Sequence, residues 1–206
     1  MKKIILFTLI VGLSFQFTSC KSDKKKPEAK QKTVKTYPFS LKNATNTIGW
    51  VAYKTTDKIP VKGTFKKIDI TKNGYGASAK EAINGAEFSI PVSSIFTSDV
   101  SRDFKLKKFF FGAMANTKLL SGKLSLATDS TGVAAISMNS VTADLPFTYK
   151  LDGKNFTMNA TMLLENWQAQ PAVDSLNVAC KDLHKAADGV SKTWNDVAIN
   201  ITTVFK

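Results

Sequence analysis

The chain has 206 residues, with 29 Lys and Arg against 16 Asp and Glu, one His and two Cys. A single His excludes a metal site built from several His side chains, and two Cys exclude a disulfide framework. The length allows one domain with its own apolar core. The formal net charge of +13 is divided unevenly along the chain, so each segment has to be considered separately.

The N-terminal segment predicts a secretory signal. Lys2 and Lys3 precede an apolar run over residues 4–13, and Phe17-Thr18-Ser19 leads directly into Cys20. This pattern resembles a bacterial lipoprotein signal, which implies cleavage before Cys20 and acylation of that residue. The alternative is a plain secretory signal with an accidental Cys. The apolar run is too short to cross a bilayer core of about 30 Å.

We therefore expect residues 1–19 to be a signal peptide and Cys20 to anchor the mature protein in a membrane. That places it outside the cytoplasm, on the outer membrane or the periplasmic face, where nucleic acid is an improbable partner despite the charge. Residues 20–42 hold eight Lys against two acidic residues and predict a flexible basic linker. The linker either binds anionic head groups beside the acyl anchor or acts as a solvated tether.

From Asn43 onward the chain reads mainly as strands. One run shifts its alternation at Lys66-Lys67, which predicts a bulge or a bend, and Asp152-Gly153 predicts a hairpin. Alternating or β-branched runs predict eight strands, over Ile48–Tyr53, Val61–Ile70, Glu87–Val92, Leu119–Ala127, Gly132–Met138, Leu145–Leu151, Phe156–Leu164 and Val197–Phe205.

Two segments have helical spacing instead. Ser98–Phe111 predicts a helix with Ser101 as its cap, and Val173–Ala187 predicts a second helix that Gly189 ends. Eight antiparallel strands with one or two short helices define an all-β protein, either a sandwich or a barrel.

Several motifs, in their order along the chain, resemble the YceI-like family. They include the Gly63-x-Phe65 end of one strand, and an Arg102-Asp103 pair followed by a Leu and a Phe-rich end. The resemblance covers about residues 44–206. Lys105 stands where the family often has His, and the helical stretch 173–189 has no obvious equivalent. The matching stretches are Ile59–Phe65, Phe88–Ile95, Arg102–Phe110 and Val141–Phe147.

The resemblance implies that residues 43–206 form an eight-stranded antiparallel lipocalin-like barrel that binds a long isoprenoid chain in an apolar pocket. From the single His and the absence of a phosphate loop we expect no cofactor and no metal. The alternative is a structural or interaction barrel whose interior its own side chains fill. The Arg-Asp pair either faces a polar ligand head or forms a salt bridge that pins the helix. The candidate ligand-binding residues are Phe65, Phe88, Arg102, Asp103, Phe104, Phe109 and Phe110.

Enzyme chemistry finds little support in the sequence. Cys180 and His184 are four residues apart on the predicted helix and could form a nucleophilic pair. Cys180 belongs to the apolar stripe of that helix, however, which favours a buried and inert thiol. There is no Gly-x-Ser-x-Gly elbow, phosphate loop or regularly spaced carboxylate pair. We therefore expect a binding protein rather than an enzyme, and the sequence leaves a homodimer open.

Overall fold

A computed structural model describes residues 36–206. The predicted signal peptide, Cys20 and most of the predicted linker lie outside the described residues. No helix within residues 36–206 is both long and apolar enough to span a membrane. The strands are β1 (Phe39–Ser40), β2 (Thr45–Lys54), β3 (Ile59–Phe65), β4 (Asp69–Lys72), β5 (Tyr75–Gly76), β6 (Glu87–Pro91), β7 (Ile95–Phe96), β8 (Leu119–Leu126), β9 (Thr131–Met138), β10 (Val141–Asp152), β11 (Asn155–Leu163) and β12 (Asp196–Val204).

Three short helices accompany the strands. They are α1 (Ala79–Ile83), α2 (Val100–Lys105) and α3 (Gln170–Ala179). A π-helical turn over Leu106–Phe110 extends α2, and a 3-10 turn over Phe111–Ala113 follows it. Two further 3-10 turns cover Val92–Ser94 and Leu164–Trp167.

Ten of the strands form one antiparallel sheet in the order β4-β6-β8-β9-β10-β11-β12-β2-β3-β7, while β1 and β5 pair separately. The sheet is curled, because β3 and β4 are successive pieces of one bent stretch and β6 and β7 are successive pieces of another. At the two bends the N–H of Lys66 donates to the carbonyl of Ser94 at 2.9 Å. The two ends of the sheet are therefore brought together at this point.

The predicted all-β antiparallel class is confirmed, but the predicted count of eight strands is wrong. Two of the four additional strands are the short pair β1 and β5, and the other two, β4 and β7, follow bends in the chain. One bend lies at 66–68, at the register shift that the sequence predicted, and the other is the 3-10 turn over Val92–Ser94. Pro91 precedes that turn and has no N–H to continue the ladder. The first bend divides the predicted strand Val61–Ile70 into β3 and β4, and the second is followed by β7, which lies beyond the predicted Glu87–Val92.

Alternation along the strands places apolar side chains on the concave face of the sheet. In β9 the buried positions are 132, 134, 136 and 138, and in β10 Leu145, Phe147 and Tyr149 are buried while their neighbours are not. The predicted hairpin is confirmed, since Asp152 pairs with Asn155 across a two-residue turn in which Gly153 has a φ of +55°. A positive φ of this kind is what glycine supplies without a steric penalty.

The helices differ from their predicted bounds. The cap of α2 is Asp99 rather than Ser101, because the Asp99 carboxylate accepts from the N–H of Arg102 at 3.0 Å. α3 begins at Gln170, with a proline in its first turn, and ends at Ala179. Beyond it the chain turns at Cys180, where the N–H groups of Leu183 and His184 both donate to the Cys180 carbonyl. The predicted extension to Ala187 is therefore wrong.

Hydrogen bonds to a later loop explain why α3 stops early. The side-chain oxygen of Asn177 accepts from the hydroxyls of Ser191 and Thr193, both at 3.1 Å. The Nδ1 atom of His184 lies 2.8 Å from the Thr193 hydroxyl. These contacts bring residues 180–194 back against the end of α3. Apolar spacing alone could not reveal them.

One end of the sheet interior is closely packed with aromatic side chains, and we call it the filled end. The Tyr149 ring lies 5.5 Å from Phe156 and 6.2 Å from Phe147. Phe39 packs edge-on against Phe205 at 5.4 Å. Phe39 therefore contacts the domain, although the sequence-based division assigned residues 20–42 to the linker. The opposite end, next to α2 and α3, is hollow.

Candidate ligand-binding cavity

A cavity of about 150 Å³ lies within the concave face of the sheet, between its strands and the turns that follow α2. Its walls are almost wholly apolar. The strands contribute side chains from their inward positions, and the helices close the side. Prominent wall residues are Trp50, Ala134, Ile136, Met158, Phe110 and Val173.

A second hollow of about 360 Å³ adjoins the cavity, and we call it the mouth. The two share walls at Trp50, Ala52, Leu106, Leu176 and Thr193. Unlike the cavity, the mouth carries charged side chains. They are Lys54, Asp99, Arg102 and Lys105.

Trp50 stands at the boundary between the cavity and the mouth. It pairs across the sheet with Gly63, where an added Cβ would collide with the indole ring. Gly63 therefore creates the space in which the ring lies over β3. Trp50 is only 7% exposed, and its Nε1–H has no hydrogen-bond partner among the described residues. A buried donor without a hydrogen-bond partner lowers the stability of the folded protein.

The other two tryptophans show the usual arrangement. Nε1 of Trp167 donates to the carbonyl of Ile136 at 2.9 Å, and Nε1 of Trp194 donates to the carbonyl of Thr55 at 2.8 Å. The free donor of Trp50 is thus a local property of the cavity rather than a general feature of the fold.

The five predicted phenylalanines separate into two groups. Phe65, Phe88 and Phe110 line the cavity. Phe104 is 57% exposed and Phe109 is half-buried, and neither belongs to the cavity wall. Phe65 and Phe88 lie on strands, whereas Phe104 lies on α2 and is exposed like Val100 one turn before it. The π-helical turn over Leu106–Phe110 changes which of the following side chains face inward.

The predicted Arg-Asp pair is divided between two roles. Arg102 lines the mouth, and its guanidinium lies 3.4 Å from the Asp99 carboxylate. Asp103 faces away from the cavity and accepts from the N–H of Thr97 at 2.9 Å and from its hydroxyl at 2.7 Å. Asp103 therefore fixes α2 to the end of β7, while Arg102 remains available to a ligand.

Burial shifts the pKa values of two titratable groups at the back of the mouth, His184 and Cys180. It lowers the pKa of His184 to about 4, and nearby Lys54 adds to that effect. Burial also raises the pKa of the Cys180 thiol, against a smaller opposing effect of Lys105 and Lys54. At neutral pH, Cys180 is a protonated thiol and His184 a neutral imidazole bonded to Thr193. A thiolate nucleophile is disfavoured in this setting.

Sequence reasoning missed several wall residues. The aromatic candidates were selected as phenylalanines, so Trp50 was read only as a strand residue, and α3 was not connected with the cavity. The Gly63 position carried a usable signal, because a glycine within a strand often marks close approach of another group. Within residues 36–206 no cluster of three or more His, Cys, Asp or Glu could hold a metal ion.

These features define a class: an antiparallel β protein with a curled sheet around an apolar cavity that opens through a cationic mouth. No family model matches the chain, and no curated protein matches it. Among solved structures, a polyisoprenoid-binding domain from Saccharophagus degradans, implicated in plant cell wall breakdown, matches with a TM-score of 0.58 at 11% identity. The match covers 83% of this chain and 99% of that one.

Two further solved structures are similar over shorter stretches. BcnA of Burkholderia cenocepacia matches at 16% identity, covering 77% of this chain and 95% of its own, with a TM-score of 0.49. The YceI protein of Campylobacter jejuni matches at 18% identity, covering 71% and 85%, also with a TM-score of 0.49. The Saccharophagus match shows the all-β antiparallel fold that the sequence motifs also implied.

Proposed function

We propose that this protein binds an amphiphilic ligand of isoprenoid type, with the end of its tail in the cavity and its polar head at the mouth. The observation that carries the proposal is the buried, unpartnered Nε1–H of Trp50, at the junction of an apolar cavity and a cationic mouth. Because Nε1 is itself fully buried, a ligand acceptor would satisfy the donor after a shift of the indole ring toward the cavity. The isoprenoid class is suggested by the YceI-like motifs and by the ligand of the Saccharophagus domain.

The cavity suits a hydrocarbon. Transfer of each CH₂ group from water into such surroundings contributes about 0.8 kcal/mol. An apolar cavity of about 150 Å³ stays free of water and accepts a group the size of benzene. A longer chain must therefore extend to the boundary at Trp50, where its polar head enters the mouth. Affinity should rise with chain length until the tail fills the cavity.

The mouth suits a head group that accepts hydrogen bonds or carries negative charge. Lys54, Arg102 and Lys105 outnumber Asp99 there, and Asp99 is already paired with Arg102. Charge-assisted hydrogen bonds to a phosphate or carboxylate are stronger than those to a neutral acceptor. The same tail should thus bind more tightly with an anionic head than with a hydroxyl.

The test compares farnesol with farnesyl phosphate, which share one tail. Thermal denaturation of the full chain is measured with each compound, since a ligand at a hundredfold excess over its dissociation constant stabilises the fold by about 2.7 kcal/mol. We expect both to raise the midpoint, the phosphate more. Arg102→Gln with Lys105→Gln should remove the difference but keep the common shift. No shift with either compound would contradict the proposal and favour the structural alternative.

The ligand carried in cells is sought separately. Protein purified from its own source is extracted with organic solvent, and the extract is analysed by mass spectrometry. An isoprenoid lipid present in near-stoichiometric amount would support the proposal. A fatty acid or another non-isoprenoid lipid would contradict the ligand class while leaving the cavity as the binding site.

We further infer from the sequence that the mature protein is a lipoprotein outside the cytoplasm, joined to the membrane through Cys20, and that it acts without catalysis. The support is the signal pattern that ends at Cys20. Cys20→Ser should leave a protein that no longer partitions into detergent, and Cys180→Ser serves as the matched control. Unchanged partitioning of Cys20→Ser would point to a different anchor.

A further inference from the structure

Exposed apolar side chains flank the mouth. Val100 is 86% exposed and Phe104 is 57% exposed, and they lie four residues apart on α2, whose Asp99, Ser101, Arg102 and Lys105 border the mouth. On the other side, Val178 at the end of α3 is 77% exposed and Leu183 is 58% exposed. These are the four most exposed large apolar side chains among residues 36–206, and they lie on the two segments that border the mouth.

Positive charge accompanies these apolar side chains. Residues 99–108 contain four Lys and Arg against two Asp, and residues 178–185 contain two Lys against one Asp. Both aspartates of the first segment are engaged, Asp99 with Arg102 and Asp103 with Thr97. Lys107, Lys108 and Lys181 are exposed. The Lys108 ammonium lies over the Phe104 and Phe109 rings, at 5.5 and 5.2 Å from their centres, and those of Lys107 and Lys181 can meet an external partner.

We propose that the surface formed by residues 99–108 and 178–185, the rim of the mouth, docks on an anionic lipid bilayer. Apolar side chains beside lysines are the combination that binds at a bilayer interface, where the former enter the acyl boundary and the latter meet anionic head groups. The charge favours an anionic bilayer over an uncharged protein surface. Docking here would place the cavity opening at the level of the lipid tails.

The inference goes beyond the proposed function, because the rim can dock whether or not the cavity holds a ligand. Its test therefore uses vesicles without any isoprenoid. Failure of docking would leave ligand binding intact, and failure of ligand binding would leave docking intact. The predicted lipid anchor does not replace the rim either, since an anchor sets the distance to the bilayer but not the face that touches it.

The experiment uses the full chain with an environment-sensitive nitrobenzoxadiazole label on a single cysteine. Cys20→Ser and Cys180→Ser remove the native thiols, and the label is placed through Val178→Cys on the rim or Val204→Cys at the filled end. The two positions are matched, since both are exposed valines. Vesicles contain either equimolar phosphatidylglycerol and phosphatidylcholine or phosphatidylcholine alone.

We expect a several-fold rise in emission at position 178 on the anionic vesicles, quenched by spin-labelled lipid tails, and little change at position 204. The rise should be much smaller on pure phosphatidylcholine and in about 1 M salt, where the Debye length is about 3 Å. Adding Val100→Asp and Phe104→Asp should abolish it, while circular dichroism confirms that the fold is kept.

Three outcomes would overturn the proposal. One is an equal rise at both positions, which means contact without a preferred face. Another is vesicle binding through the N-terminal segment with no change at position 178. The third is a rise at position 178 that survives high salt and pure phosphatidylcholine, which would remove the anionic bilayer as the partner. Val100→Asp and Phe104→Asp with an unchanged signal would remove the apolar contribution.

Discussion

The two ends of the sheet interior are built from the same strands but are packed differently. At the filled end Phe147, Tyr149 and Phe156 interdigitate, and each is at most 6% exposed. Toward α2 and α3 the inward side chains, which include Trp50, Phe65 and Met158, do not fill the interior, and a cavity remains. In β9 the inward series begins at the filled end with Gly132, where an added Cβ would collide with the Phe147 ring, and continues to Ala134 in the cavity wall. The same alternation thus supports stability at one end and leaves space at the other.

This difference shows how a small β domain can be stable and still keep a hollow interior. Close packing at one end supplies the burial that a domain of this size requires. The other end carries what a filled core would avoid, namely an unsatisfied indole N–H at Trp50 and a half-buried neutral His184. Departures of this kind concentrate at functional sites.

The largest expected effect is a difference in the free energy of unfolding lost by one Phe→Ala substitution at each end. Phe156→Ala at the filled end should lower the free energy of unfolding by about 3–5 kcal/mol, because the packed neighbours cannot close the new cavity. Phe88→Ala, in the cavity wall, should cost about 2 kcal/mol or less, since one side of that ring already faces empty space. Urea denaturation of both variants measures the difference. Equal losses would mean that the hollow end is packed as tightly as the filled end.

The second prediction concerns ligand stabilisation and uses two neighbouring alanines on opposite faces of β9. Ala134 is buried and lines the cavity, and Ala135 lies on the outer face. Ala134→Phe should remove the stabilisation of about 2.7 kcal/mol that farnesyl phosphate gives at a hundredfold excess over its dissociation constant. Ala135→Phe should retain it. If both variants bind equally, the ligand lies outside the cavity.

The third prediction concerns the dependence of stability on pH. Burial lowers the pKa of His184 to about 4 in the folded state, whereas a His in the unfolded chain is protonated near pH 6.5. Between these pH values the unfolded state binds one more proton than the folded state, which favours unfolding. The protein should be most stable above about pH 6.5 and lose stability as the pH falls from about 6.5 to 4. Because His184 is only half-buried, we expect solvent screening to limit the loss to about 1–2 kcal/mol.

His184→Gln is the control for this pH dependence, because it keeps a side chain able to bond with Thr193 but cannot take up the proton. Thermal midpoints of both proteins are compared between pH 7.5 and pH 4.5. The variant should show a flatter profile over that range. Parallel profiles would mean that other groups cause the loss.

The smallest expected effect is at Trp50. Trp50→Phe keeps an aromatic ring at the boundary but removes the donor, so the affinity for farnesyl phosphate should fall by about 1 kcal/mol. Stability without ligand should rise slightly, because an unsatisfied buried group is lost. Trp167→Phe, whose donor already bonds to the Ile136 carbonyl and which does not line the cavity, should show the reverse: lower stability and unchanged affinity. A stability loss in Trp50→Phe would mean that its N–H has a partner.

Much of the fold follows from local sequence patterns. The strands were predicted because inward positions alternate with outward ones, and the bend near Lys66 was visible as a break in that alternation. α1 was missed although Ser78 and Glu81 carry the capping signature, in which the Ser78 hydroxyl accepts from the N–H of Glu81 at 3.2 Å. The early end of α3 depends on contacts of Asn177 with residues 14 and 16 positions away, which no local pattern contains.

The cavity could be predicted only in part. Phe65 and Phe88 followed from strand alternation, and Phe110 from the family-like motif. The hollow itself depends on which side chains face each other across the curled sheet, as at Ala134 and Leu145. The free donor of Trp50 depends on the absence of any acceptor near it in space. Neither the cavity nor the unpaired donor can be predicted from the order of residues along one strand.

The central claim is that the hollow end receives the apolar tail of a ligand, and a crystal structure of the full chain grown with farnesyl phosphate tests it most directly. We predict continuous ligand density from the cavity past Trp50, with an acceptor within hydrogen-bond distance of its Nε1 and the phosphate near Arg102 and Lys105. A cavity filled by rearranged side chains, or a ligand bound only on the outer surface, would contradict the account.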